Sequence, residues 1–211
     1  SRARSKTQSQ QSLQDIHLEV INHLLTLRAT NLELFCEKSI SVKGLVNGAC
    51  LLQGETLLRI ISTFSSKDVT LTCEIIDGVF TITTEKGVIE IKTTPYEDFP
   101  TLPSQGDQLG SLPKESIDVL LREVSFCSAS TDIKPEISSV FVYTKEESIY
   151  AVATDSYRLA EKTIPNDKDL DFSFLIPQKH IGEILQILSE EEGEIMLSKN
   201  QSIITFTGTT L

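Results

Sequence analysis

Apolar and polar residues alternate along much of the chain, and this two-residue period is typical of β-strands with one buried face. In the first half, the alternation predicts strands at residues 13–20, 23–29, 49–52, 69–75, 79–83 and 88–93, with 31–40 leading into a further strand. In the second half, it predicts strands at residues 139–143, 148–154, 172–176, 195–198 and 203–207. Residues 151–165 indicate a strand, a tight polar turn at Asp155-Ser156 and a second strand.

Three segments instead show the 3.6-residue period of amphipathic helices. They are residues 55–64, residues 114–127 and a helix that Pro177 opens. Their apolar faces are Leu57, Ile60, Ile61 and Phe64; Ile117, Leu120, Leu121 and Val124; and Ile181, Ile184, Leu185 and Leu188. Many antiparallel strands with few helices predict an α+β protein.

Residues that lie 124 positions apart match repeatedly, which indicates an internal duplication. Examples are Thr30 with Thr154, Glu37 with Glu161, Lys38 with Lys162 and Ile40 with Ile164. We therefore predict two repeated domains, residues 1–103 and 104–211, each with two helices packed on curved antiparallel sheets. The linker is predicted at residues 94–110, which are rich in proline and glycine, and Phe99 and Leu102 are expected to anchor it.

The same offset predicts that neither domain is whole. Ser1 corresponds to Ser125, so the first domain is expected to lack its opening strand and helix. Leu211 corresponds to Gly87, so the second domain is expected to lack its last strand.

Composition narrows the possible functions. The net charge is −11, and residues 106–211 carry most of it, which argues against nucleic-acid binding unless basic groups gather on one face. No apolar run is long enough for a membrane span or a signal peptide. Cys36, Cys50, Cys73 and Cys127 are scattered and predict buried thiols in a reducing compartment, without disulfides or zinc ligands. The three histidines, His17, His23 and His180, lie far apart and are expected to be surface or packing residues.

The sequence contains no motif of an active site. Phosphate-binding glycine loops and the G-x-S-x-G motif do not occur. Asp167, Asp169 and Asp171 alternate on a predicted loop, but the glycine and terminal glutamate of a calcium loop are missing. A hydrolase that uses these aspartates is a weak alternative. We expect a binding protein that is not an enzyme and uses no cofactor or metal.

Residues 152–160, V-A-T-D-S-Y-R-L-A, resemble the V-A-T-D-[GS]-[HY]-R-L-A signature in the middle domain of the bacterial sliding clamp family, the β subunit of DNA polymerase III. Residues 30–33, 96–100 and 130–135 resemble further motifs of that family. The resemblance covers nearly the whole chain and implies the DNA-clamp fold, with the N-terminal and middle domains present. The family has a third domain, which is expected to be absent here, and two subunits close head to tail into a ring.

The resemblance implies a processivity factor that encircles duplex DNA and contacts its phosphates without reading sequence. The candidate DNA-binding residues are Arg2, Arg4, Lys6, Lys114, Arg122, Lys134 and Lys179. For Arg2, Arg4 and Lys6, a solvated tail is the alternative, and for each of the seven residues an ordinary surface role is the alternative. The implied location is the cytoplasm, in association with the nucleoid.

The implied protein partners are the polymerase III α subunit, the clamp loader and other proteins with a clamp-binding motif, which dock through a short peptide. By motif match, the middle-domain wall of the peptide pocket is Ile137, Thr154, Ser156, Tyr157, Arg158 and Leu159. Taken without the resemblance, the turn favours simple sheet closure, with Leu159 in the core and Arg158 paired with a carboxylate. The alternative for the whole chain is a β-rich protein-interaction module that binds no DNA.

Overall fold

The computed structural model describes residues 14–64, 72–85, 87–94, 96, 99–101, 106–130, 134–201 and 203–208. The chain divides into two compact units, and the boundary between them falls between residues 102 and 103. Each unit combines helix with antiparallel sheets, so the predicted α+β class is confirmed.

The first unit contains two sheets and, among its described residues, one helix. Its strands are β1 (Asp15–Ile21), β2 (Leu24–Thr30), β3 (Phe35–Ser41), β4 (Gly48–Gln53), β5 (Thr72–Ile76), β6 (Val79–Thr84) and β7 (Gly87–Lys92), and its helix is α1 (Gly54–Ile61). The sheet orders are β3-β2-β1-β4 and β5-β6-β7. Leu57 of α1 packs into a core with Leu18, Leu52, Phe80 and Ile82.

The second unit contains two sheets and two described α-helices. Its strands are β8 (Asp107–Pro113), β9 (Ser139–Lys145), β10 (Ser148–Thr154), β11 (Leu159–Pro165), β12 (Ser173–Pro177), β13 (Glu194–Asn200) and β14 (Ile203–Thr207), and its helices are α2 (Lys114–Arg122) and α3 (Gln178–Ser189). The sheet orders are β11-β10-β9-β12 and β14-β13-β8. Side chains of both sheets and α2 meet in the core, including Leu120, Val142, Phe174, Leu197 and Phe206.

The four-stranded sheets of the two units repeat the same topology in the same register, which supports the predicted duplication. The four-stranded sheets have equivalent strand orders. His17 of β1 pairs with Arg28 of β2, and Phe141 of β9 pairs with Val152 of β10, each 124 positions further on. A proline stands immediately before each described α-helix of the second unit: Pro113 and Pro177 are the N-cap residues of α2 and α3, with φ of −54° and −57° and extended ψ of 139° and 131°.

The predicted linker is wrong at its end, because residues 107–110 belong to strand β8. Gly110 has a φ of +127°, and the pairing of β8 with β13 shifts register between Leu197 and Ser198. A glycine at positive φ beside such an irregularity breaks the alternation that identifies a strand. Phe99 contacts the ring of His17 at 5.2 Å between centroids, as expected of an anchor, whereas Leu102 lies outside the described residues.

Two further predictions are wrong in detail. The second helix ends at Arg122, and a 3-10 helix (Ser125–Cys127) follows it. Ile61 is 45% exposed and does not share the buried face of Leu57. Ile60 and Phe64 do pack against the core, so the apolar face of this segment consists of Leu57, Ile60 and Phe64.

The cysteines and histidines occupy both buried and exposed positions. Cys50 and Cys127 are buried, and burial raises the pKa of Cys50 to about 11, so this thiol stays protonated at neutral pH. Cys73 is exposed, which contradicts the expected buried thiol, because β5 is an edge strand whose residues are all exposed. His17 and His180 are buried packing residues, and His23 is exposed.

Candidate functional site

The turn between β10 and β11 is held by its own side chains. The Thr154 hydroxyl donates to the Arg158 carbonyl at 2.7 Å and accepts from the Ser156 N–H at 3.1 Å. One carboxylate oxygen of Asp155 accepts from the N–H groups of Tyr157 and Arg158, both at 3.0 Å. Such bonds allow Ser156 its positive φ of 77° and fix the direction of the residues that follow.

The first unit builds the same turn between β2 and β3. Thr30 makes both equivalent bonds, to the Leu34 carbonyl and from the Leu32 N–H. The Asn31 side-chain oxygen replaces the Asp155 carboxylate and accepts from the N–H groups of Glu33 and Leu34. Thr154 and Asp155 are therefore structural residues of the turn, and the side chains at its tip can differ between the units.

Arg158 is anchored to a distant part of the second unit. Its Nε donates to Asp155 at 3.0 Å, and its Nη2 donates to the carbonyl of Phe126 at 3.0 Å. The guanidinium also lies over the Phe126 ring, 5.8 Å from the centroid. Just beyond Phe126, the Ala129 N–H donates to the Ile137 carbonyl at 2.8 Å. Residues 125–129 thus connect the turn with Ile137, another predicted pocket residue.

Three large apolar side chains remain exposed around this anchor. Tyr157 is 98% exposed, Leu159 64% and Phe126 61%. The alternative that buries Leu159 in the core is therefore wrong, although its pairing of Arg158 with a carboxylate is correct. The surface offers apolar and aromatic contacts to a bound chain, and Arg158 serves mainly to hold its shape.

Sequence reasoning missed Phe126, although the sequence contained a signal. The apolar face of α2 consists of Ile117, Leu120, Leu121 and Val124, and a phenylalanine two positions later does not fit that spacing. A large aromatic residue off the buried face of a helix is a candidate for a contact elsewhere. Here that contact is Arg158, 32 positions away in sequence.

The turn is expected to respond to acid through Asp155. The N–H groups of Tyr157 and Arg158, and then the Arg158 guanidinium, hold the pKa of the Asp155 carboxyl below its usual range. Stabilisation of the turn by this carboxylate is present above the ordinary pKa of about 4 and is lost as the pH falls through the lower folded value. The amide proton shifts of Tyr157 and Arg158, followed by NMR, should therefore titrate below pH about 4.

The variant Asp155→Asn is the control for this titration. Asn31 makes the same backbone bonds in the first unit, so asparagine should keep the turn while removing its charge. The two amides should then show no acid titration and otherwise native shifts. A titration that persists unchanged in this variant would assign the pH response to another group.

The candidate DNA-binding residues are placed as follows. Lys114 and Arg122 are the first and last residues of α2, and Lys179 is the second residue of α3, a helix that contacts α2. Lys134 is exposed in the turn that ends at Ile137, whose N–H donates to its carbonyl at 3.1 Å. Arg2, Arg4 and Lys6 lie outside the described residues.

The described helices carry as many acidic as basic side chains. The basic ones are Arg59, Lys114, Arg122 and Lys179, and the acidic ones are Glu55, Glu115, Asp118 and Glu183. Arg122 is moreover paired with Asp118 at 2.7 Å, and nearby Lys162 is paired with Glu123 at 2.7 Å. These helices therefore lack the strong positive charge that is usual for contact with phosphates.

The described part of the chain shows neither a metal-binding cluster nor a membrane-spanning helix. Asp167, Asp169 and Asp171 are exposed, and among the described residues no cluster of side chains suited to a metal ion occurs. The longest described helix, α3, has 12 residues, and no described helix has the length and apolar composition to cross a membrane.

The duplicated topology and the hydrogen-bonded turn define a protein of the DNA-clamp class. The model of the DNA polymerase III beta subunit N-terminal domain matches residues 3–103, and that of the central domain matches residues 111–211. The chain belongs to the DNA polymerase III beta subunit family, which confirms the resemblance seen in the sequence.

Individual relatives agree with this assignment. A beta sliding clamp from Rickettsia bellii is 25% identical over 196 residues, which cover 90% of this chain and 52% of the relative. The beta subunit from DNA polymerase of Streptococcus pyogenes has a TM-score of 0.85 at 23% identity, over 93% of this chain and 54% of that chain. A sliding clamp from Pseudomonas aeruginosa bound to griselimycin has a TM-score of 0.84 at 22% identity, over 93% of this chain and 54% of that chain. The chain thus spans about half the length of the relatives it matches.

Proposed function

We propose that the chain acts in a DNA sliding clamp, the processivity factor of a replicative DNA polymerase. The observation that carries this proposal is that its two halves match consecutive domains of the beta subunit, with the clamp signature on the exposed turn of the second. The clamp is an accessory subunit without catalytic chemistry of its own. It works in the cytoplasm, on the nucleoid.

In this proposal, residues 1–103 form the first clamp domain and residues 104–211 the second. The full-length clamp closes into a homodimeric ring around duplex DNA. Its contacts to DNA are phosphate contacts from Arg2, Arg4, Lys6, Lys114, Arg122, Lys134 and Lys179, which are independent of base sequence. A polymerase tethered to the ring stays at high effective concentration near the primer end, which makes synthesis processive.

Partner proteins dock by a short peptide at the surface around the turn. The polymerase α subunit, the clamp loader and other proteins with a clamp-binding motif are the proposed partners. The pocket wall consists of Ile137, Thr154, Ser156, Tyr157, Arg158 and Leu159. Exposure of Tyr157 and Leu159 supports apolar contact with the peptide, and the griselimycin-bound relative supports a ligand-binding surface on this fold.

Retention on circular DNA tests the proposal. The full-length protein is loaded onto nicked circular duplex with a clamp loader and isolated by gel filtration in high salt. A ring that encircles DNA is expected to stay on the circle and to be lost once a restriction enzyme linearises it. Salt-sensitive binding that does not depend on circularity would contradict encirclement.

A β-rich interaction module that binds no DNA is the second candidate. The described helices balance acidic with basic groups and the net charge is −11, and both observations favour a protein that does not approach phosphates. Such a module would bind partner peptides yet never be retained on circular DNA. The same gel filtration therefore separates the two functions.

A further inference from the structure

The exposed side of helix α2 places an acidic group between two basic ones. Lys114, Asp118 and Arg122 follow one another at intervals of four residues, so they lie on one face of the helix. The Arg122 Nε donates to one carboxylate oxygen of Asp118 at 3.0 Å, and its Nη2 donates to the other at 2.7 Å. The side chains are 63% and 38% exposed, respectively, so this ion pair is open to solvent.

The Nε and Nη2 groups of Arg122 that donate to Asp118 are the same groups that would bind a DNA phosphate. A guanidinium binds carboxylate and phosphate in the same two-pronged geometry, so both groups use the same N–H donors. The hydrogen bond from Arg122, followed by the charges of Arg122 and Lys114, lowers the pKa of Asp118. Asp118 therefore stays ionised at neutral pH, where it also repels a phosphate near Arg122.

We propose that Asp118 competes with DNA phosphates for the guanidinium of Arg122 and so keeps the contact between α2 and the DNA backbone weak and easily exchanged. This inference rests on the proposed function. An exposed ion pair one helical turn apart contributes little stability, so a phosphate can displace the carboxylate and be displaced in turn. Such exchange suits a protein that moves along DNA, because no single phosphate contact holds it in place.

Neutralising Asp118 tests the competition. Binding of the chain to a short fluorescent duplex is measured by anisotropy over a series of salt concentrations, for the wild type, Asp118→Asn and Glu115→Gln. Glu115 is an exposed carboxylate of the same helix, so its variant has the same change of charge but leaves the Arg122 pair intact. Asp118→Asn is expected to bind about three to ten times more tightly than Glu115→Gln. The slope of log affinity against log salt should become steeper by about one phosphate contact.

A double variant tests whether the effect passes through Arg122. In an Arg122→Gln background, the increase in DNA affinity caused by Asp118→Asn should fall to the increase caused by Glu115→Gln. No guanidinium then remains for the substitution to release. Equal increases in DNA affinity from Asp118→Asn and Glu115→Gln would overturn the proposal that Asp118 competes with phosphate. So would an undiminished increase from Asp118→Asn without Arg122. Neither result would affect the proposed function. Failure of every variant to bind duplex, together with failure to be retained on nicked circles, would overturn the proposed function as well.

Discussion

Replacement of Tyr157 and Leu159 together by alanine is expected to weaken binding of a clamp-binding peptide at least about tenfold, the loss of one apolar anchor or more. The two side chains are 98% and 64% exposed, so they are available to a partner. The turn that carries them is closed by Thr154 and Asp155, and its hydrogen bonds use neither side chain. The variant should therefore keep the thermal unfolding midpoint of the wild type. Anisotropy of a labelled peptide and thermal unfolding measure the two quantities.

The chain offers a matched control for this double variant. Tyr96 and Leu58 are the same residue types in the first unit and are also exposed, at 50% and 69%. Alanine at both positions should leave peptide affinity unchanged, because neither belongs to the surface around the turn. Wild-type affinity in the Tyr157 and Leu159 variant would remove this turn from the docking site. An equal loss in the control would show that the peptide responds to general surface hydrophobicity.

Alanine at Gly110 is expected to destabilise the second unit by about 2 kcal/mol. Gly110 lies in β8 with a φ of +127°, a backbone conformation that residues with a side chain rarely adopt. A Cβ there would also overlap the side chain of Leu170. Because β8 pairs with β13, the loss should appear as faster hydrogen exchange of both strands and as a lower urea midpoint.

Gly182 is the control for Gly110, and the opposite result is expected from it. It lies within α3, and apart from the backbone of its own helix no heavy atom would be within 4 Å of an added Cβ. Alanine there should stabilise the unit by about 0.5–1 kcal/mol, since glycine is unfavourable inside a helix. A Gly110→Ala variant as stable as the wild type would mean that β8 relaxes without cost at this position.

Local pattern predicted most strands, most clearly those in which one face is more buried than the other. In β10, Ile149, Ala151 and Ala153 are buried while the residues between them are half-buried, and this alternation is visible in the sequence. Strand β8 was missed because Gly110 and the register shift in its pairing partner are set by tertiary contacts. A two-residue apolar period identifies a strand only when its backbone is regular. Strand β8 is irregular at Gly110, so the period is broken there.

The candidate site divides in the same way between local and distant contacts. The pairing of Arg122 with Asp118 follows the four-residue spacing of a helix and could have been predicted. The match of Thr30 with Thr154 was visible in the sequence, but that these threonines close the turn with their hydroxyl groups is seen only in the structure. The bond from Arg158 to the Phe126 carbonyl could not be predicted, because no local rule connects residues 32 positions apart.

The repeated turn has a consequence for how a duplicated protein can diversify. Both copies hold their shape with a threonine and an Asn or Asp at the first two positions, while the next two residues differ: Leu32 and Glu33 in one, Ser156 and Tyr157 in the other. Substitutions at these two positions can therefore change the side chains that either turn exposes without changing the strands that the turn connects. In each unit the shared hydrogen bonds fix the backbone of the turn, and the two following residues determine which side chains it presents to a partner.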